Sequence, residues 1–173
     1  HPNLNIIPTS GVVFDLPMAF LEFIFKIEDS RQYYLLRHFF TFFVFFISVY
    51  FFFQIVKKRY NSWSIGILGA IFLIISPKIF ANSFYNNKDI IFMSLFIINL
   101  YAAINFLEKK NFINAIIFSI LSALTINVRI LGIILPLLVF IIYIINVLRN
   151  TNNNNGKILK PFILFLILLP FFV

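Results

Sequence analysis

The chain has 173 residues, of which 61% are hydrophobic and only 12% are charged. Soluble domains carry about 25% charged residues, so this composition excludes an ordinary soluble domain and indicates a protein whose solvent is lipid. The chain contains no cysteine, which excludes disulfides and thiolate metal sites. Its net charge of +8 lies in short basic clusters between apolar runs, a pattern typical of membrane loops and not of a nucleic-acid-binding face.

Residues 1–38 are predicted to form an outer loop with interfacial helices. The loop is apolar but contains Asp15, Pro17 and Glu22, so we expect its first helix to lie in the membrane interface without spanning. Asp15 is predicted to cap this helix, because proline is tolerated in a first turn, and Glu22 is assigned to its solvated face. Ser30 is predicted to cap a second helix that leads into the membrane.

Residues 39–148 are predicted to hold five transmembrane helices, because a span needs about 20 mainly apolar residues. Residues 112–148 are too long for one span, so we divide them at a tight turn near Arg129. Residues 149–160 are predicted to form a cytoplasmic linker and residues 161–173 a truncated sixth helix. The whole chain is thus predicted to be one all-α membrane domain, a polytopic transmembrane bundle. Its five complete spans are Phe39–Val56, Trp63–Ile79, Ile90–Leu107, 112–127 and 130–148.

The distribution of charge predicts an orientation. The loops at 57–62, 108–111 and 149–160 hold eight of the 14 Lys and Arg residues and only one acidic residue. By the positive-inside rule these loops are cytoplasmic. The opposite face carries the other five acidic residues, and we expect a polar site there. The predicted location is a bacterial inner membrane, with the site facing the periplasm.

Four ionisable residues that are distant in sequence are predicted to meet at a similar depth on the outer face: Asp15, Lys88, Asp89 and Arg129. A carboxylate can accept a proton from an attacking hydroxyl or hold a metal. Arginine and lysine bind phosphate. We therefore assign the two aspartates as catalytic candidates and the two cations as phosphate-binding candidates, which fits group transfer from a lipid-linked phosphate. Arg37, at the membrane boundary, is interpreted as an anchor.

Three short segments carry a resemblance to a known family. They are Gly11–Pro17, Ser76–Asp89 and Asn127–Gly132, and the second reads Ser-Pro-Lys-Ile-Phe-Ala-Asn-Ser-Phe-Tyr-Asn-Asn-Lys-Asp. These segments resemble regions of the bacterial polytopic C-type glycosyltransferases, which are related to protein O-mannosyltransferases and to the lipid A aminoarabinose transferase. The resemblance covers nearly all of the chain. It implies an all-helical bundle with an outward-facing cavity.

The resemblance also implies a function. Enzymes of this family move a sugar, with inversion, from a polyprenyl-phosphate donor to a glycan, lipid or protein acceptor, generally without a nucleotide sugar. In this interpretation Arg129 and Lys88 bind the donor phosphate, and Asp15 and Asp89 orient donor or acceptor. No cofactor is implied with certainty, and a divalent metal stays an open question.

One departure from the family pattern concerns the base. The family's principal catalytic aspartate lies near the start of the first outer loop, ahead of the point that corresponds to His1. We therefore expect the chain to be an internal piece that lacks the main catalytic acid. Asp15 is then the second acid of that loop, with a supporting role.

Two other functions stay open. A transporter or flippase for lipid-linked anions would use the same basic groups without chemistry, and internal repeats or broken helices would favour it; neither is clear in the sequence. A non-catalytic membrane scaffold would tolerate the loss of Arg129 or Asp89.

Overall fold

The computed structural model describes residues 12–26, 29–109, 111–149, 163–165 and 167, and in these ranges the chain is helical and has no strand. This confirms the predicted all-α class. Most of the predicted linker and sixth helix lies outside the described residues. The helices are α1 (Val12–Ile24), α2 (Ser30–Tyr60), α3 (Trp63–Ile75), α4 (Pro77–Tyr85), α5 (Asn87–Glu108), α6 (Phe112–Val128) and α7 (Ile134–Arg149), with a 3₁₀ turn at Ile130–Ile133.

The longest helix is α2, which packs against α3, α4 and α5. Its 31 residues contain no glycine or proline and extend about 46 Å at the standard helical rise, more than the roughly 30 Å of a hydrocarbon core. The helix begins after Asp29, whose carboxylate accepts a hydrogen bond from the Arg31 amide at 3.1 Å. The prediction that Ser30 is the cap is therefore wrong, because Ser30 is already the first helical residue.

A separate short helix, α1, precedes α2. Asp15 lies in its first turn and Pro17 lies inside it. The prediction that Asp15 caps the helix is therefore wrong, because the helix starts three residues earlier. The apolar residues on the outer side of α1 point away from the bundle, as expected for a helix that lies in a lipid interface. These exposed residues are Leu16, Phe20 and Phe23.

A broken helix is formed by α3 and α4. The predicted span Trp63–Ile79 is not continuous, because α3 ends at Ile75 and α4 starts at Pro77 with a bend of 65°. Ser76 between them is non-helical, with φ −56° and ψ 110°, since a residue that precedes proline is disfavoured in the α region. Pro77 then occupies the first turn of α4, where a missing amide hydrogen costs nothing.

Small side chains line the interface of α5 and α6, which pack as an antiparallel hairpin. Small residues let helix backbones approach closely, which is a common basis of helix association in lipid. The Ser122 hydroxyl donates to Asn99 Oδ1 at 3.2 Å, and both side chains are fully buried. This hydrogen bond joins the two helices inside the bundle. The buried small residues of the two helices include Ser94, Ala102, Ala103, Ala115, Ser119 and Ala123.

Two of the described helices, α2 and α5, are long and apolar enough to cross a membrane. The bent pair α3 and α4 is a third candidate if it acts as one span. The helices α6 and α7 are apolar but shorter, with 17 and 16 residues. The number of five spans stays a prediction.

The bundle has two ends of different chemistry. The end at which α2 and α5 begin holds Arg37 and Arg129, and we call it the arginine end. The end at which α2 and α5 finish holds Lys57, Lys58 and Arg59, and we call it the lysine end. At the lysine end Lys58 forms an ion pair with Glu108, so the last turns of α2 and α5 lie side by side there, which agrees with the prediction that the loops after these two helices share one side. The side of the membrane that each end faces is still a prediction.

The turn between α6 and α7 brings two stretches of backbone into contact. Arg129 is extended in this turn, with φ −150° and ψ 138°, which confirms the predicted break. Three residues later, a Cβ atom added to Gly132 would lie 2.7 Å from the backbone nitrogen of Ile126 and from the carbonyl carbon of Thr125. Because backbone atoms cannot rotate away, this position accepts only glycine without a shift of the turn.

We expect Gly132→Ala to lower the stability of the protein by about 1–3 kcal/mol, the usual cost of forcing extra volume into a packed site. Thermal unfolding of the purified protein in detergent measures this change. Gly69→Ala is the matched control, because the atoms nearest to its Cβ would belong to the side chain of Val56, the closest at 3.1 Å, and not to the backbone. Equal unfolding temperatures for Gly132→Ala and the wild type would contradict the proposed close approach.

Candidate functional site at the arginine end

The central contact of the arginine end is an ion pair between Asp89 and Arg129, which are 40 residues apart in sequence. Asp89 Oδ1 accepts a hydrogen bond from Arg129 Nη2. The other carboxylate oxygen accepts from Asn86 Nδ2 at 3.1 Å, while Asn86 Oδ1 accepts from the Asp89 amide at 3.0 Å and caps α5. Both oxygens of Asp89 are thus engaged. The structure thus brings Asp89 and Arg129 into direct contact, and their roles in a site stay predictions.

One nitrogen of the Arg129 guanidinium group is held by Asp89, and other N–H groups stay available to hydrogen-bond a ligand. Its central carbon lies 5.7 Å from the centroid of the Phe92 ring, and 34% of the side chain is exposed. Arginine has five N–H donors, and within the described part of the chain one of them reaches Asp89 while Nε is buried without a hydrogen-bond partner. The group can therefore bind an anion while it keeps its contact with Asp89.

Lys88 stands beside this pair in the first turn of α5. Its side chain is exposed, and it makes no ion pair with the residues that the structure describes. A cation at a helix N-terminus opposes the helix dipole, whereas a carboxylate such as Asp89 is favoured there. Helix stability therefore does not account for Lys88, and its charge adds to the positive end of α5.

A second cluster surrounds Arg37. The arginine is only 6% exposed, and its Nη1 and Nε lie 2.9 Å from Asp15 Oδ1 and 3.3 Å from Glu22 Oε1. The central guanidinium carbon of Arg37 lies 4.6 Å from the centroid of the Tyr33 ring. Two interpretations are therefore wrong: Arg37 is not a lone anchor, and Glu22 is not on a solvated face. The seven-residue spacing of Asp15 and Glu22 puts both acids on one face of α1, and this was the available sequence signal.

A hydrogen bond links the helix of Arg37 to the first turn of α5, the helix of Asp89. The Thr41 side chain is fully buried, and its hydroxyl lies 2.8 Å from the Arg37 carbonyl oxygen and 2.7 Å from Asn87 Oδ1. Asn87 directly precedes Lys88 in α5. The structure thus brings all four predicted residues to one end, but as two clusters, with Asp15 bound to Arg37 and Asp89 bound to Arg129. Residues close in sequence to Asp15, Asp89 and Arg129 pack into one buried group, which consists of Phe14, Met18, Ile91 and Val128.

An apolar cavity of about 230 Å³ lies between α1, α2 and α5 at this end. Its wall includes Ile91, which lies two residues after Asp89 and next to Phe92, the ring that contacts Arg129. The cationic groups and an apolar space therefore border the same stretch of α5. Other residues of the wall are Met18, Phe40, Val44 and Leu95.

Side chains that could ligate a metal do not form a cluster in the part of the chain that the structure describes. No group of three or more His, Asp and Glu residues that could hold a metal ion occurs there. Asp15 and Asp89 each contact an arginine. The question of a divalent metal stays as open as the sequence left it.

We expect Arg37→Gln to destabilise the docking of α1 on α2, because it leaves two largely buried carboxylates without their cation. Breaking a buried ion pair by removing one partner costs about 3–5 kcal/mol. Amide hydrogen exchange over Val12–Ile24 measures the effect. Relative to the wild type, exchange is expected to accelerate more in this segment than in α5. Arg31→Gln removes an exposed charge from the same helix and is expected to change exchange little. Unchanged protection of α1 in Arg37→Gln would contradict this role.

The comparisons with known proteins agree with this architecture. The sequence model of a family described as dolichyl-phosphate-mannose-protein mannosyltransferase matches residues 16–173. No curated protein and no solved structure matches the chain. The matched range contains both arginines of the site and the long apolar helices, and it confirms the family that the short motifs indicated. The chain therefore belongs to the dolichyl-phosphate-mannose-protein mannosyltransferase family and is a membrane glycosyltransferase of the mannosyltransferase type.

Proposed function

We propose that the protein transfers a sugar from a polyprenyl-phosphate donor to an acceptor at the arginine end of the bundle. The observation that carries this proposal is that two cations, Lys88 and Arg129, lie at the same end of the bundle as an apolar cavity, whose wall includes Ile91 from the same helix start as Lys88. A polyprenyl-phosphate sugar has the matching composition, since a charged phosphate joins an apolar chain to the sugar.

In this proposal Arg129 binds the donor phosphate through the donors that Asp89 leaves unused. The reaction breaks the bond between the anomeric carbon and a phosphate oxygen and forms a bond from that carbon to the acceptor oxygen. Negative charge grows on the departing phosphate as the bond breaks. Preorganised donors aimed at growing charge lower the barrier more than flexible donors do, and Asp89 and Phe92 keep the guanidinium in place.

Lys88 supplies the second charge in this scheme. It lies one residue from Asp89 at the start of α5, where the helix N-terminus itself carries about half a positive charge. The side chain is exposed and can reach a ligand as a flexible point charge. Lys88, Arg129 and the helix terminus together would neutralise the phosphate.

The two aspartates have a positioning role in this proposal. Asp89 holds Arg129, and Asp15 holds Arg37, which docks α1 over the apolar cavity. The proton of the acceptor hydroxyl needs a general base. We assign that step to a carboxylate other than these two, because both are engaged with arginines.

The proposal also includes the membrane in which the protein lies and the acceptor of the sugar. The charge distribution of the loops supports an inner membrane of a bacterium with the arginine end facing outward. The acceptor is a glycan, a lipid or a protein hydroxyl, and the family description supports a protein.

Transport of a lipid-linked anion is the competing function. Broken helices are common in transporters, and the bent pair of α3 and α4 is such a helix. The family to which the chain belongs is one of transferases. Covalent transfer is therefore the function we propose, and movement without transfer is the alternative outcome of the assay.

We expect Arg129→Gln to reduce transfer by about 100-fold or more, as does the loss of one preorganised donor in other enzymes. Asp89→Asn keeps the cation but loosens it, and we expect a reduction of roughly tenfold, which corresponds to about 1.4 kcal/mol. The measurement is the incorporation of radiolabelled mannose from polyprenyl-phosphate-mannose into acceptors, with vesicles that contain the full-length protein.

The matched control is Lys78→Gln, which removes an exposed cation from the preceding helix and is expected to retain wild-type transfer. Transfer at the wild-type rate in Arg129→Gln would contradict the proposed role of the arginine. Label that crosses the vesicle membrane without becoming covalently attached would establish the transporter instead.

A further inference from the structure

We propose that the lysine end binds the headgroup of an anionic phospholipid, at the opposite end of the bundle from Arg129. A cavity of about 370 Å³ lies there between the last turns of α2 and α5. This volume is within the range of about 300–1,000 Å³ that is usual for small-molecule sites. The cavity is lined by Ile55, Lys58, Arg59, Ile104 and Glu108.

Of the two cations that line this cavity, one forms an ion pair with the described residues and the other does not. Lys58 Nζ lies 2.5 Å from Glu108 Oε2 and 2.8 Å from Asn105 Oδ1, so its charge is already paired. Arg59 is exposed and makes no hydrogen bond or ion pair with any residue that the structure describes. Its planar group therefore keeps all its donors for the bidentate contact that arginine makes with phosphate.

The positive charge at the lysine end exceeds what the helices require. The C-termini of α2 and α5 each carry about half a negative charge, which one cation offsets. With Lys58 balanced by Glu108, three other cations among the described residues of this end are exposed: Lys57, Arg59 and Lys109. The surplus attracts an anion. Clusters of basic residues at the end of a membrane helix are a known attractor of anionic lipids.

The depth of the lining residues indicates a lipid and not a free anion. Ile55 precedes Arg59, and Ile104 precedes Glu108, by four residues each, so each isoleucine lies on the same helix face about 6 Å further into the bundle. The cavity thus has a charged rim and an aliphatic floor. A phospholipid has the same order along the membrane normal, with the phosphate outside and the first acyl methylenes inside. Trp63, a residue type that favours the membrane–water interface, is exposed at this end.

The test is native mass spectrometry of the full-length protein in detergent, titrated with phosphatidylglycerol and, separately, with phosphatidylcholine. We expect phosphatidylglycerol to bind more tightly to the wild type. Arg59→Gln is expected to weaken that binding about fivefold, the effect of one basic residue near an anionic lipid surface, and to weaken phosphatidylcholine binding less, because the choline cation offsets the charge of that lipid's phosphate. This readout does not depend on transferase activity.

The matched control is Arg31→Gln, which removes one exposed arginine from the other end of the same helix and is expected to leave phosphatidylglycerol binding at the wild-type level. Excess inorganic phosphate is expected not to displace the lipid, because phosphate has no contact with the aliphatic floor. Equal affinity of the wild type for the two lipids would overturn the proposal. So would an equal loss in Arg31→Gln, or displacement by inorganic phosphate.

Discussion

The ion pair between Asp89 and Arg129 is the interaction on which the arginine end depends. The chain connects α5 to α6 directly only at the lysine end, so their other termini have no covalent link nearby. Arg129 closes this open end by reaching from the end of α6 to the start of α5. Its own position depends on the extended backbone between α6 and the 3₁₀ turn, and that backbone depends on the contact of Gly132 with Thr125. The turn, the arginine and the helix start therefore form one structural unit.

The cluster around Arg37 also uses ion pairs to hold two helices together, here α2 and the interfacial helix α1. An arginine at the edge of a lipid-soluble bundle needs a counter-charge or water, and Asp15 and Glu22 supply the counter-charge from α1. The pairing holds α1 over the apolar cavity that the donor lipid is proposed to use. In both clusters the carboxylates position cations. A role for these acids in holding the site follows more directly from the geometry than a role in proton transfer.

The two ends of the bundle bind charge in different ways. At the arginine end the guanidinium groups of Arg37 and Arg129 are buried or half-buried, and each is held by at least one carboxylate. At the lysine end the described cations are largely exposed, and Glu108 pairs with Lys58. A fixed cation favours a defined transition state, because it needs no reorganisation as charge develops. An exposed and flexible cluster favours general attraction of a membrane surface. The difference supports chemistry at one end and lipid contact at the other.

Several features of the fold were determined by local sequence alone. The apolar composition required helices, because lipid offers no partner for free backbone groups. The length of 112–148 and the polar residues within it required a break near Arg129. The break at Ser76 and Pro77 also had a local signal, since proline disfavours a helical residue before it, although the apolar run around it predicts a continuous span.

The pairing of the charges was decided only by the tertiary structure. Asp15 and Arg37 are 22 residues apart, and Asp89 and Arg129 are 40 apart. No periodicity connects such positions, so the sequence could place four ionisable residues at one depth but could not say which carboxylate holds which cation. Nor could it identify the hydrogen bond of Thr41 to Asn87, which links α2 to the start of α5. The sequence determined the helices and the ends at which charges lie. The packing of α1, α2, α5 and α6 decided the partners, because Coulomb energy in a low-dielectric bundle depends on distances of a few ångströms that only the folded chain sets.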